Sequence, residues 1–410
     1  MRWLNLCGLS QGEDDAEAAM LIEPILTAPA TLDGNSAADH RAPGLVPRIL
    51  TLFKSVRPGS DLTKFQARIS LLAPQQNFMS TLPPIFNMPK SQLQSYGECV
   101  YCIGQDLIGK CVEGKNALER FTAVVAWCIS TTRPVMFGMA PFNPILGETH
   151  HVSRGDLNVL LEQISHHPPV SALHATDEKR GIELIWCHTP LPRFTGAAVE
   201  GAIQGKRKLN LWNYSENYEM NCPKLMIRFL PVPVVEWVGN ITVRCPDSGL
   251  EATLSFKGQS FLGFGGNRAV KGKIIDSLTR NLIYELDGHW DRVITKKEVD
   301  TGKVSTLYDA RETLAAMKTP MLKDAKGLQP TESCLVWSEV SKGILANDWE
   351  GAREAKRRIE ERERRLQGER TAKGISWSPK YFNVVKTKDN EWDCFPKRPL
   401  VAAAPIVVSP

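Results

Sequence analysis

The 410-residue chain has no long hydrophobic run: its longest, Phe121 to Ile129, is about half of what a membrane-spanning helix requires. A soluble or peripheral protein is therefore expected. The opening MRWLNLCGLSQGEDD is only briefly apolar, is interrupted by Asn5 and runs into acids instead of a small-residue cleavage site, so secretion is not expected. Excess charge is also scarce. With 50 Lys+Arg against 45 Asp+Glu the net charge is +5, too little to imply a nucleic-acid partner without a concentrated basic face. Signatures of catalysis are missing: there is no GxSxG, SxxK or HExxH, and Gly263, Gly265 and Gly266 lie among strand-like runs with no helix after them. The ten cysteines are scattered from Cys7 to Cys394 and form one CxxC, Cys99 and Cys102. The ten read as reduced thiols of a cytoplasmic protein, with Cys99 and Cys102 as half-buried helix residues, and neither a zinc site nor any other cofactor is expected. What remains, 42% hydrophobic and 23% charged residues, is ordinary globular composition.

Charge is unevenly placed. Residues 1–43 hold seven acids and two bases without clear periodicity and read as a disordered acidic tail. The remainder carries 48 bases against 38 acids, a charge of +10. From Leu45 to Val56, apolar residues including Ile49, Leu50 and Phe53 recur at helical spacing between Arg48, Lys54 and Arg57, which predicts a short amphipathic helix with basic edges. It would pack on a core, touch a membrane or cover a pocket. A second helix is expected after a cap at Asn116, with Leu118, Phe121, Val125 and Cys128 on one face.

Beyond Arg133 the texture changes to short strand-like runs, from LNVLLEQI (157–164) through NLIYELDGHWDRVITKK (281–297). They are separated by turn signals at Arg154-Gly155-Asp156, Asp247-Ser248-Gly249, Asp287-Gly288 and Thr301-Gly302. The pattern predicts an antiparallel meander, sandwich or barrel. Helical character returns near the C-terminus, where fifteen of the residues 348–370 are charged, eight basic and seven acidic. Taken alone, that run reads as a solvated helix laced with i,i+4 pairs.

Four of the eight histidines, His150, His151, His166 and His167, fall within eighteen residues. Adjacent strand residues point to opposite faces, so each pair offers one ligand per face, which disfavours a metal site. Pro168-Pro169 should end the preceding strand at His167 and hold both rings at a rigid strand end.

EQISHHPPVSA (Glu162–Ala172) resembles the signature of the oxysterol-binding protein family, and FNPILGETH (Phe142–His150) resembles the Asn-Pro-x-x-Gly-Glu segment that precedes it there. AKRRIEERERR resembles the family's closing helix. The resemblance runs from about Leu45 to Pro399 and is nearest to short plant members. It implies a β-rich α+β fold, a large incomplete antiparallel β-barrel around an apolar tunnel, with flanking helices and an N-terminal lid. The implied domain is 44–399: a lid at 44–66 with Ile49, Leu50 and Phe53, a helical part at 82–137, a barrel at 138–325, a C-terminal helical part at 326–399 and a tail at 400–410. It also implies transport of a sterol or other lipid, exchanged for phosphatidylinositol 4-phosphate. His166 and His167 would hold the head group, Phe142 and Asn143 would lie beside it, and Lys356, Glu360 and Arg364 would contact phosphate and inositol hydroxyls. Anionic membranes and an endoplasmic-reticulum receptor protein are the expected partners, at that organelle or other membrane contact sites.

The i, i+4, i+8 spacing of 356, 360 and 364 independently places two bases and an acid on one helix stripe. Two departures stand out. The family's head-group lysine is replaced by Ala140, and residues 67–81 read as an insertion between segments that the family joins directly. Two other classes remain open: a phosphoinositide-sensing adaptor that moves no lipid, and a hydrolase or metal enzyme using the clustered histidines.

Overall fold

The computed structural model describes residues 23–32, 47, 56–62, 82–230, 233–258, 268–315 and 317–409. Ile49, Leu50 and Phe53 of the expected lid, the expected insertion 67–81, and Gly263, Gly265 and Gly266 lie outside the described residues.

A helical group comes first. β1 (Asn87–Ser91) leads into α1 (Gln92–Tyr101), whose N-terminus is fixed by a capping box between Ser91 and Gln94. The short α2 (Leu107–Lys110) and then α3 (Ala117–Ser130) follow. Asn116 caps α3 as expected: its side-chain oxygen accepts the Glu119 backbone N–H at 2.9 Å, and Phe121, Val125 and Cys128 are buried. β2 (Ala140–Phe142) pairs in parallel with β1.

The body is a sixteen-stranded sheet. β3 (Thr149–Arg154), β4 (Leu157–His166), β5 (Pro169–Asp177) and β6 (Ile182–Phe194) form an antiparallel meander. The sheet then forks. One end of β6 pairs with β7 (Ala198–Gln204), which passes through β10 (Lys224–Arg228) to β11 (Val234–Cys245). The other end pairs with β8 (Arg207–Leu211), which reaches β11 through β9 (Glu216–Met220). β12 (Leu250–Lys257), β13 (Ala269–Asp276), β14 (Leu282–His289), β15 (Val293–Glu298) and β16 (Val304–Asp309) extend it as hairpins. Its ends, β16 and β17 (Met321–Leu322), are not paired to each other. The barrel is thus incomplete, as the family resemblance implies. Alternation is clear in β8, β9 and β12, where every second side chain enters a core shared with α1 and α3.

Three boundaries need correction. Residues 400–409 are not a tail: β20 (Ile406–Val407) lies between β3 and β17, with Ile406 and Val408 buried. Residues 23–32 of the expected disordered tail are laid on the body. Ile25 N–H donates to Cys334 O at 3.1 Å, Lys90 Nζ to Ala28 O at 2.9 Å, and Leu26 and Leu32 pack on the main core. The acid count had hidden this apolar stretch. Gly288, read as a turn residue, lies inside β14, where an added Cβ would collide with the Val293 carbonyl; the chain reverses after Trp290 instead.

The C-terminal part holds α4 (Ala310–Leu314), α5 (Ser333–Val336), α6 (Ser338–Leu345) and the long α7 (Trp349–Ala372). It is not wholly helical, because β18 (Phe382–Lys386) and β19 (Trp392–Pro396) form a hairpin that closes it. No helix among the described residues is long and apolar enough to cross a membrane.

Candidate functional site

The two signature histidines occupy the tip of the β4–β5 hairpin. His166 pairs with Pro169, the His167–Pro168 peptide is cis, and β4 ends at His166, one residue earlier than expected. The rings meet edge to face, with centroids 4.7 Å apart. His166 is half-buried and His167 exposed. A carbonyl can only accept, so the 2.9 Å contact from His166 Nδ1 to Pro144 O places the proton on Nδ1 and leaves the Nε2 lone pair free. Burial, with His167 alongside, pushes the His166 imidazole down to about 4.

Both motifs carry acids that build the walls around this tip. Glu148 is buried and accepts from Ser91 Oγ, from Ser333 Oγ at 2.7 Å, from Trp337 Nε1 at 2.9 Å and from Ile145 N–H at 3.0 Å. Glu162 accepts the Lys380 and Tyr381 backbone N–H groups at 2.6 and 2.8 Å, tying β4 to the start of the β18–β19 hairpin. Gly147, at φ +79°, lets the loop pass Trp377, which an added Cβ would approach to 3.1 Å. These parts enclose a cavity of about 690 Å³. His166 and His167 line one side, and Glu363, Gln367 and Arg370 of α7 another; Trp377 and Trp392 contribute aromatic walls. This volume lies within the range of small-molecule sites.

The other expected site residues are placed as follows. Lys356 is buried on α7; its ammonium donates to Leu82 O and, at 3.0 Å, to Asn87 Oδ1. Burial, opposed by Glu360, pushes it down to about 8. Asn87 Nδ2 in turn donates to Ala140 O at 3.1 Å, so Lys356 is linked to the position that lacks the family lysine. Glu360 is half-buried and Arg364 exposed, and neither lines the cavity. Asn143 is half-buried. Phe142 does not line the cavity: its fully buried ring stacks on Trp337 at 4.6 Å and 19°, which seats α5 and α6. Sequence reasoning missed Glu363, Gln367 and Arg370, although they continue the Lys356 stripe at i+7, i+11 and i+14.

The second histidine pair is structural. His150 Nδ1 lies 2.6 Å from Glu332 and its Nε2 2.8 Å from the Tyr101 hydroxyl, while His151 Nε2 lies 2.9 Å from Ala402 O. These partners leave no ring nitrogen of His150 for chemistry.

Residues 79–399 match the family model described as Oxysterol-binding protein. The chain belongs to the oxysterol-binding protein family. It is 48% identical over 388 residues to oxysterol-binding protein-related protein 4C of Arabidopsis thaliana, covering 94% of this chain and 98% of that relative. It is also 28% identical to human oxysterol-binding protein-related protein 5 over 82% of this chain and 37% of that longer protein. Its fold matches the Osh1 ORD domain solved with cholesterol, at a TM-score of 0.69 and 18% identity, over 95% of both chains. It also matches the Osh3 ORD of Saccharomyces cerevisiae solved with PI(4)P, at a TM-score of 0.61 and 23% identity, over 83% of this chain and 91% of that one. The family and its fold are those of lipid-binding and transfer domains.

Proposed function

We propose that this protein is a non-enzymatic lipid carrier that holds a sterol or another lipid within its barrel and exchanges it for phosphatidylinositol 4-phosphate between cytosolic membrane faces. The observation that carries the reading is the His166–His167 tip facing a cavity whose opposite wall is α7. The rings provide donors once protonated, and the stripe of Lys356, Glu360 and Arg364 on α7, with Asn143 directly after β2, provides charge and hydroxyl acceptors. Charged hydrogen bonds of this kind contribute roughly 1.5–3 kcal/mol each. Lys356 must exchange its bonds to Leu82 and Asn87 for the ligand, which couples head-group entry to the segment ahead of β1.

Orphaned polar atoms inside the body support a lipid-holding interior. Among the described residues Trp127 Nε1, Trp186 Nε1, His188 Nδ1 and Arg207 Nε are buried without hydrogen-bond partners, so a guest hydroxyl or water would satisfy them. The expected anionic membranes and endoplasmic-reticulum receptor belong to the same reading, with the +10 body drawn to anionic lipid.

The test is extraction of phosphatidylinositol 4-phosphate from vesicles. Wild type is expected to remove it, and His166→Ala with His167→Ala to lose this ability while sterol loading persists. Unchanged extraction by the double variant would sink the head-group assignment. Vesicle binding without lipid movement would favour the adaptor instead.

A further inference from the structure

The cavity raises a problem of charge. Position 140 is alanine, Lys356 reaches a ligand only by giving up Leu82 and Asn87, and His166 is held neutral by burial. Lys356 and Arg364 stand outside the cavity lining, so a phosphomonoester seated between the histidines and α7 would gain from a cation that lines it.

Arg370 occupies the required place. It lines the cavity, is half-buried and makes no salt bridge among the described residues. Arg353, Arg357, Arg358 and Arg365 of the same helix are instead paired with Glu350, Glu354, Glu339 and Glu369. Two helical turns, about 10 Å, separate Arg370 from Glu363, and Gln367 lies between them on the same stripe. Burial pushes the Glu363 carboxyl up, opposed by Arg362 and Arg370. Trp377 and Trp392 add flat apolar walls.

A guanidinium can grip phosphate through two parallel hydrogen bonds, a carboxylate and an amide take hydroxyls, and indole rings cover the C–H faces of a cyclic polyol. We propose that Arg370, with Gln367 and Glu363, forms a subsite for the phosphomonoester of a cyclic polyol, supplying a cation within the cavity that the histidines line. The inference rests on the head-group reading of His166 and His167. Its ligand is either a lipid head group or the soluble phosphorylated polyol.

The experiment compares wild type, Arg370→Ala, Arg370→Lys and the double histidine variant. One probe is phosphatidylcholine vesicles doped with phosphatidylinositol 4-phosphate; the other is water-soluble inositol 1,4-bisphosphate, followed by titration calorimetry. Arg370→Ala is expected to weaken binding about tenfold or more, with partial recovery in Arg370→Lys and unchanged sterol loading. A loss with both probes assigns the polyol phosphate itself, and a loss confined to vesicles assigns the membrane-borne lipid; either supports the subsite. Full binding by Arg370→Ala, with loss in the histidine variant, overturns the subsite and leaves the head-group reading standing. Full binding by both variants overturns that reading as well.

Discussion

His166 combines two properties that pull against each other: its place at the hairpin tip suits an anion, yet burial holds it neutral, with its only proton committed to Pro144. A phosphomonoester favours the imidazolium, so binding should raise this pKa from about 4 toward ambient pH and take up a proton. Calorimetry of head-group binding near pH 6.5, in buffers of different ionisation heat, is expected to report net proton uptake and tighter binding as pH falls. Uptake that persists in His166→Asn would assign the proton to another group. The pair itself was legible because His-His-Pro-Pro is rare and two prolines dictate a strand end. Phe142 was named from the resemblance alone; its stacking partner Trp337 lies nearly two hundred residues away, and nothing local in the sequence indicates that contact. Gly147 offers a second residue-scale test. Its φ of +79° and its approach to Trp377 predict that Gly147→Ala costs about 1–3 kcal/mol in chemical denaturation, with extraction falling as the cavity wall shifts. An unaltered unfolding midpoint would mean that the loop relaxes freely.

At the scale of elements, the two motifs do more structural work than their histidines suggest. Glu162 joins β4 to residues 380 and 381, and through them sets the position of the β18–β19 wall. In Glu162→Gln one of the two backbone donors would face an amide N–H. The expected loss is about 1–3 kcal/mol of stability, with faster hydrogen exchange across residues 380–384 and weaker head-group extraction. Exchange unchanged there would refute the anchoring role. α7 was read from composition as a solvated helix and from resemblance as a binding helix. Its exposed sides carry the ion pairs that composition predicts, including Arg357 with Glu354 and Glu361. Its inner stripe runs from buried Lys356 to the cavity at Glu363, Gln367 and Arg370. Helical periodicity made the stripe visible, but nothing local indicated where along it the facing wall stands. That wall is supplied by β18, β19 and Trp377, whose approach is set by Glu162 and Gly147.

For the molecule as a whole, alternation and turn signals were enough to predict an antiparallel meander, sandwich or barrel, because each hairpin is a local event, and the family resemblance narrowed these to the barrel. Closure at the β3 edge was not legible, since β20 is two residues long and pairs with partners far away in sequence. That short strand should matter greatly. Val401, Ile406 and Val408 are buried, and side chains of this kind contribute roughly 1.5–3 kcal/mol each, together comparable with the net stability of about 5–15 kcal/mol typical of a domain. Removal of residues 400–410 would also leave the backbone groups of Val152 and Ser153 without their β20 partners. The truncated chain is therefore expected to melt at least about 5–10 °C lower than the full chain, or to aggregate. Ile406→Ala isolates the packing part of the effect and should cost about 2–5 kcal/mol. The thermal midpoints of both proteins, followed by circular dichroism, decide the matter. A truncated chain that melts with the full-length protein would show that the β3 edge needs no cover and that the C-terminal residues belong outside the fold.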